Sequence, residues 1–178
     1  MANHNIIFSG PAGSGKTTAI AAISDIEPFC TGEVVTDALP ERCIASASAL
    51  DYGRLKLDSG ESLHLYGTPG QAALDFDWDN LAGDSLGLIL FIDSQRPDPM
   101  GDLQSWLNLF AGLIRRNAVA VGITRSDFEG APSVEDCQRV LLTQNLNIPV
   151  FEVDPRESGD VTMLLQALLY SLDPCIKH

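Results

Sequence analysis

The chain has 178 residues and a mass of 19.1 kDa, which suits one domain with a single core, so we expect one domain over residues 1–178. Hydrophobic residues make up 45% of the chain and charged residues 20%, a composition that excludes a mostly disordered protein. With 11 lysines and arginines against 24 aspartates and glutamates, the net charge is −13, which argues against a protein that binds nucleic acid or anionic lipid through a basic face.

The cysteines and the N-terminus favour a cytoplasmic protein. The four cysteines stand far apart, with no Cys-x-x-Cys pair and no nearby histidine, so we expect reduced thiols rather than disulfides or a zinc site. No basic segment precedes a long apolar stretch at the N-terminus, and no apolar run approaches the ~20 residues that span a bilayer. We therefore expect a cytoplasmic location without membrane insertion.

The first half of the chain predicts a strand, a glycine-rich turn, a helix and a hairpin. Residues 5–8 are typical of a buried strand, and a helix follows the turn to about residue 26. Residues 27–48 show no hydrophobic period, so we predict a long loop there. Two apolar runs, 55–57 and 63–66, flank an Asp-Ser-Gly-Glu turn and predict an antiparallel hairpin.

The second half predicts alternating strands and helices, which together with the first half indicates an α/β fold. The apolar run 86–92 is typical of a central parallel strand. Asp98 is a predicted N-cap before a helix that begins at Pro99 and keeps an apolar face as far as Ile114. The remaining predicted elements are strands at 118–123 and 148–153, the second at a sheet edge because of Pro149, a helix from Ser133 to about Asn145, and a last helix with apolar residues from Val161 to Leu172.

The strongest chemical signal is Gly-Pro-Ala-Gly-Ser-Gly-Lys-Thr at residues 10–17, which fits the P-loop pattern GxxxxGK[ST] between a predicted strand and a predicted helix. The glycines let backbone N–H groups face phosphates, Lys16 adds a positive charge for the β and γ oxygens, and the Thr17 hydroxyl can ligate Mg²⁺. The spacing is not the GxGxxG of dinucleotide-binding folds. The predicted phosphate site consists of Gly10, Gly13, Ser14, Gly15, Lys16, Thr17 and Thr18.

Two further segments favour a GTPase over a kinase or an ATPase. The hairpin ends in Gly-Thr-Pro-Gly-Gln, the pattern of a γ-phosphate-sensing loop in which the Gly70 N–H contacts the phosphate and Gln71 orients water. A later strand is followed by Thr124-Arg125-Ser-Asp127, where the carboxylate can accept guanine N1–H and N2–H and the arginine stem can lie over the base. Adenine offers no such donor pair, so Asp127 predicts selectivity for guanine.

Together these segments resemble the Ras-like small GTPases over essentially the whole chain, and more closely the bacterial small GTPases that carry a Gly-Thr-Pro-Gly-Gln second switch; residues 49–54, 78–81 and 93–99 are similar to that group as well. The resemblance implies a P-loop NTPase fold with a mostly parallel sheet of about six strands, one antiparallel edge strand, and helices on both faces. It also implies Mg²⁺ as cofactor, and a partner of Roadblock type or another GTPase-activating or effector protein.

Some positions depart from the family's pattern. Gly67 stands where most Ras-like proteins have an Asp that holds an Mg²⁺-bound water; Asp93 is either a substitute carboxylate or a turn former. The family's metal-binding Thr of the first switch aligns near Ser46, so Ser46 joins Thr17 as a predicted metal ligand. The family's Gln-Glu-Arg-Phe is here Gln-Ala-Ala-Leu at 71–74, which removes two charges.

The predicted base-closing loop departs too. Asp154-Pro155-Arg156 aligns with a Ser-Ala-Lys-like turn whose central N–H meets guanine O6, and proline has no N–H. Either Arg156 supplies the donor through a shifted turn, or base selectivity is reduced.

We therefore expect a guanine-nucleotide switch that hydrolyses GTP slowly. The predicted catalytic residues are Gln71, Lys16 and Arg42, the last lying where some GTPases place a built-in arginine. One alternative is a degenerate pseudo-GTPase or nucleotide-bound scaffold, which Gly67, Ala47, Ala72 and Ala73 favour. A small-molecule P-loop kinase fits less well, because a kinase lid is basic and the chain has only three lysines.

Overall fold

The computed structural model describes residues 3–30, 50–68 and 85–172. The strands within these ranges are β1 (Asn3–Ser9), β2 (Phe29–Cys30), β3 (Asp51–Lys56), β4 (Ser62–Gly67), β5 (Ser85–Asp93), β6 (Ala118–Thr124) and β7 (Val150–Glu152). The helices are α1 (Lys16–Ile23), α2 (Pro99–Leu109), α3 (Ala111–Ile114), α4 (Val134–Thr143) and α5 (Ser158–Tyr170). This alternation confirms the predicted α/β class. Among these helices, none is long and apolar enough to cross a membrane.

The strands form one sheet in the order β2-β3-β4-β1-β5-β6-β7. The five strands from β4 to β7 run parallel, whereas β3 is antiparallel to both of its neighbours. The expectation of about six strands with the antiparallel strand at the edge was wrong in one respect. The two-residue strand β2, inside the stretch predicted as a loop, pairs Phe29 with Tyr52 and so moves β3 to the second position.

The β3–β4 pair confirms the predicted antiparallel hairpin, and the residues after α1 hydrogen-bond to the outer edge of β3. The Arg54 N–H donates to Ser24 Oγ at 3.0 Å, and the Arg54 carbonyl accepts the Asp25 N–H at 2.7 Å. The Lys56 N–H donates to the Asp25 carboxylate at 2.6 Å. Because residues 24 and 25 bond to β3, α1 ends at Ile23 rather than near residue 26.

Helices cover both faces of the sheet, as the sequence predicts. Ile6, Ile7 and Phe8 of β1 are all fully buried, although neighbouring side chains point to opposite faces. Ile6 and Phe8 pack in a core with α1 and α5, whereas Ile7 packs in a core with Phe110 and α3. A third cluster joins β5 and β6 to α2 and α4. The sheet is thus buried on both faces, and the loops that connect its strands to the helices are available to form a site.

The local helix signals are mostly confirmed. Asp98 caps α2 by accepting the Gly101 N–H at 2.9 Å, and Ser133 forms a capping box with Asp136 at the start of α4. The predicted single helix to Ile114 was wrong, because the chain leaves helical geometry at Phe110 and resumes as the short helix α3.

Candidate nucleotide-binding site

The glycine-rich turn (residues 10–15) between β1 and α1 has a backbone that depends on its glycines. Gly10, Gly13 and Gly15 have φ angles of 138°, 76° and 96°, a region that other residues rarely adopt. A Cβ at Gly10 would lie 2.4 Å from the Phe91 carbonyl oxygen, and one at Gly15 would lie 2.5 Å from Pro155 Cγ. The turn is therefore fixed by backbone conformation and by close packing against β5 and the loop that follows β7.

Lys16, the first residue of α1, is bonded to this turn. Its Nζ donates to the carbonyls of Gly10 at 2.9 Å and Pro11 at 2.7 Å, and the residue is only 7% exposed. Burial lowers the pKa of Lys16 to about 8, although the charge of Asp51 acts in the opposite direction. The lysine thus places a positive charge directly beside the backbone of the turn, as predicted for a phosphate site.

Asp51 is a candidate site residue that the sequence analysis did not include. Thr17 Oγ1 donates to Asp51 Oδ2, so a hydroxyl and a carboxylate meet at the start of α1. Asp51 opens β3 and pairs with Gly67, the last residue of β4. A Cβ at Gly67 would lie 3.0 Å from Asp51 Cβ and 3.3 Å from Asp51 Oδ2. The Asp51 side chain therefore fills the space that a side chain at position 67 would occupy.

Asp93, the substitute carboxylate considered from the sequence, has other partners. It is 4% exposed, and its carboxylate accepts hydrogen bonds from Arg125 Nη1 at 2.7 Å and from the Gln95 N–H at 3.0 Å. Arg125 Nη2 in turn donates to the Gly13 carbonyl at 2.8 Å. Asp93 thus holds Arg125 against the glycine-rich turn, and the carboxylate bonded to Thr17 is that of Asp51.

Thr124, the last residue of β6, is bonded to two neighbouring segments. Its hydroxyl lies 3.2 Å from the carbonyl oxygens of both Ser14 and Ile92, and the residue is almost fully buried. The end of β6 is therefore fixed to the glycine-rich turn and to β5. Arg125 follows with φ 54°, a conformation uncommon for a residue with a side chain, and this sharp change of direction begins the loop that carries Asp127.

A pocket of about 630 Å³ opens beside these loops, within the usual volume of small-molecule sites. Its wall includes both the glycine-rich turn and the loops after β6 and β7, which the sequence assigned separately to phosphate and to base. The predicted nucleotide-binding residues that line it are Ser14, Gly15, Thr18, Thr124, Arg125, Asp127, Asp154, Pro155 and Arg156.

The loop after β7 is held by a carboxylate–guanidinium pair. Arg156 Nη2 donates to Asp154 Oδ2 at 2.6 Å, and Nε donates to Oδ1 at 2.9 Å. These bonds from Arg156 lower the pKa of Asp154 to about 2, so the carboxylate is ionised at neutral pH. Of the donors that Arg156 could supply, its backbone N–H is already bonded, because it donates to Asp154 Oδ1 at 2.9 Å.

The remaining predicted residues, Arg42, Ser46, Gly70 and Gln71, lie outside the described residues. Over residues 3–30, 50–68 and 85–172, no group of three or more His, Cys, Asp or Glu side chains is placed to hold a metal ion. No protein-family model matches the chain, and a search of the curated proteins finds no match.

Proposed function

We propose that the protein is a guanine-nucleotide switch with a Ras-like P-loop fold, which binds GTP and GDP with Mg²⁺ and hydrolyses GTP slowly. The observation that carries the proposal is the composition of one pocket. Ser14 and Gly15 of the glycine-rich turn line the same pocket as Arg125 and Asp127. A ligand that fills it contacts the glycine-rich turn, which we assign to the phosphates and call the phosphate end, and the Asp127 carboxylate, which we assign to the base and call the base end.

The phosphate end has three sources of positive potential. Lys16 supplies a formal charge, the backbone of the turn supplies N–H donors, and the N-terminus of α1 adds its dipole. On nucleotide binding, the Lys16 ammonium would exchange the carbonyls of Gly10 and Pro11 for phosphate oxygens. The pairing of opposite charges offsets the cost of keeping that lysine buried.

The base end supports guanine rather than adenine. The Asp127 carboxylate can accept two neighbouring donors, and guanine presents N1–H and N2–H side by side. Arg125, fixed at its tip by Asp93 and Gly13, offers its aliphatic stem as a surface for the ring. Thr124 keeps both residues in register with the glycine-rich turn.

The donors near Thr17 fit Mg²⁺. A threonine hydroxyl and an aspartate carboxylate are hard oxygen groups, and Mg²⁺ uses few protein ligands because it keeps water and phosphate oxygens. Thr17 would ligate the ion and Asp51 would hold it or its water, in the role expected of a carboxylate at Gly67. When bound, Mg²⁺ neutralises charge on the phosphates. Ser46 stays a predicted further ligand.

Hydrolysis of this kind needs positioning and charge stabilisation rather than a covalent intermediate. Gln71 as the water-positioning residue, Arg42 as a built-in arginine, and a Roadblock-type partner stay predictions. A nucleotide-bound scaffold is the second candidate, favoured by the two alanines that follow Gln71.

The test begins with the nucleotide that purified protein releases on denaturation, identified by chromatography. We expect GDP or GTP, and by calorimetry we expect Lys16→Ala to bind neither GDP nor ADP. Asp127→Asn should weaken GDP and improve XDP, because an amide can donate where the carboxylate accepted. Release of ADP or ATP, or equal affinity of the wild type for GDP and ADP, would contradict the proposal. Binding of GTP without any hydrolysis would favour the scaffold.

A further inference from the structure

The loop after β7 has no backbone donor left for a base. The Asp154 N–H donates to Asp160 Oδ2 at 2.9 Å, and Pro155 has none. The Arg156 N–H donates to Asp154 Oδ1 at 2.9 Å, and the Glu157 N–H donates to the Asp154 carbonyl at 3.0 Å. A ligand atom that needs a donor from residues 154–157 must therefore obtain it from a side chain.

The Arg156 guanidinium has such a donor. Asp154 engages Nε and Nη2, which form one edge of the planar group. Nη1 makes no hydrogen bond to any residue in the described part of the chain. The arginine lines the pocket, and its side chain is 78% exposed. Asp154 thus fixes the plane of the guanidinium and leaves the Nη1 hydrogens available to the pocket.

Arg156 and Asp127 face the same space. Both residues line the pocket. The pKa of Arg156 is raised, first by Asp154 and to a lesser extent by the charges of Glu157 and Asp127. A carboxylate and a guanidinium that flank one pocket match the edge of guanine, where the acceptor O6 stands next to the donors N1–H and N2–H.

We propose that Arg156 reads the 6-oxo group of the base through its guanidinium, and that Asp154 is the residue that positions it. This inference rests on the proposed guanine-nucleotide function of the pocket. The Arg156 guanidinium takes the place of the backbone N–H that meets guanine O6 in the Ser-Ala-Lys-like turn of the Ras-like proteins. The ligands expected for this pocket are therefore 6-oxopurine nucleotides. Adenine is rejected at this point as well, because its 6-amino group would set donor against donor.

The test compares three diphosphates by calorimetry: GDP, IDP, which lacks the 2-amino group, and 6-thio-GDP, whose sulfur is a weaker acceptor at the same position. Arg156→Ala should weaken GDP and IDP by the same factor, about 10- to 100-fold, because a charge-assisted hydrogen bond to O6 is lost. It should weaken 6-thio-GDP only a few-fold. Arg139→Ala is the matched control, since Arg139 is 76% exposed, pairs with Asp136 at 2.8 Å, and lies outside the pocket lining.

Asp154→Ala should weaken GDP less than Arg156→Ala does. In the Arg156→Ala background its effect should be smaller than in the wild type, because the guanidinium is gone and only the bond to the backbone N–H of residue 156 is left to lose. The inference is overturned if Arg156→Ala leaves GDP affinity unchanged, or weakens GDP and 6-thio-GDP alike. If Asp127→Ala still weakens GDP in that case, only the role of Arg156 has failed. If Asp127→Ala has no effect either, the guanine-nucleotide function itself is refuted.

Discussion

Asp51 and Gly67 are partners across the β3–β4 ladder, so mutation can move the carboxylate from position 51 to position 67. We consider three variants: Asp51→Gly, Gly67→Asp, and the double variant that carries both changes. Each single variant alters one side of the contact. The double variant returns the carboxylate to β4 and leaves the total charge unchanged.

The distances set the expected stabilities. In Gly67→Asp the new Cβ would lie 2.9 Å from Ile20 Cδ1 and 3.0 Å from Asp51 Cβ. The end of the Ile20 side chain can move, but Asp51 Cβ is held by its own backbone. The carboxylates of residues 51 and 67 would then lie close together and repel each other. Overpacking of this kind costs about 1–3 kcal/mol, which corresponds to a loss of roughly 3–10 °C in Tm for a domain of this size. The double variant removes the Asp51 Cβ and should recover most of that loss.

Thermal unfolding by circular dichroism measures the stabilities, and GDP affinity with and without Mg²⁺ measures the metal. Asp51→Gly should reduce the gain in GDP affinity that Mg²⁺ provides by about 10- to 100-fold, and the double variant should restore part of it. A Gly67→Asp protein as stable as wild type would refute the packing argument. Full Mg²⁺ dependence in Asp51→Gly would show that the carboxylate near Thr17 does not serve the metal.

Two further predictions concern pH and catalysis. His64 is 7% exposed, its Nδ1 lies 2.7 Å from the Tyr52 hydroxyl, and its Nε2 has no partner in the described ranges; burial and, less strongly, the charge of Arg54 lower its pKa. As pH falls below 6.5, the unfolded chain therefore takes up a proton at His64 that the folded chain excludes, so the free energy of unfolding should fall towards acid pH. In His64→Phe the urea midpoint should change less between pH 7 and pH 5 than it does in the wild type. An equally steep change in the two proteins would contradict this. In single-turnover GTP hydrolysis we expect a slow rate, on the order of one turnover per hour, that Gln71→Leu lowers and Arg42→Ala barely changes. A rate that collapses in Arg42→Ala would instead identify a built-in arginine.

Features that depend on neighbours in the sequence were predicted well. The caps at Asp98 and Ser133 bond to N–H groups three residues away, so their signals are complete within a few letters of sequence. The glycine-rich turn is similar, because the conformation of each glycine is a local property. The strands other than β2 were also predicted, since apolar residues mark each of them.

Features that depend on strand register, or on which backbone N–H groups are already hydrogen-bonded, were not predicted. Asp51 lies beside Thr17 and Gly67 because of the antiparallel pairing of β3, so the sequence alone did not place this carboxylate in the candidate site. β2 was missed because two residues are too few to show a period. For Arg156 the sequence left two alternatives open, and it could not show that the Arg156 N–H is bonded to Asp154.

The bonds that Ser24 and Asp25 make along β3 also bear on how copies of this protein behave at high concentration. An uncovered strand edge presents N–H and C=O groups that template strands from other molecules, which is a common route to aggregation. Here β2 covers the start of that edge, and the side chains and backbone after α1 satisfy Arg54 and Lys56 further along. Intermolecular pairing at this edge of β3 would therefore have to break intrachain bonds first, so the turn that ends α1 also protects this edge from pairing with another molecule.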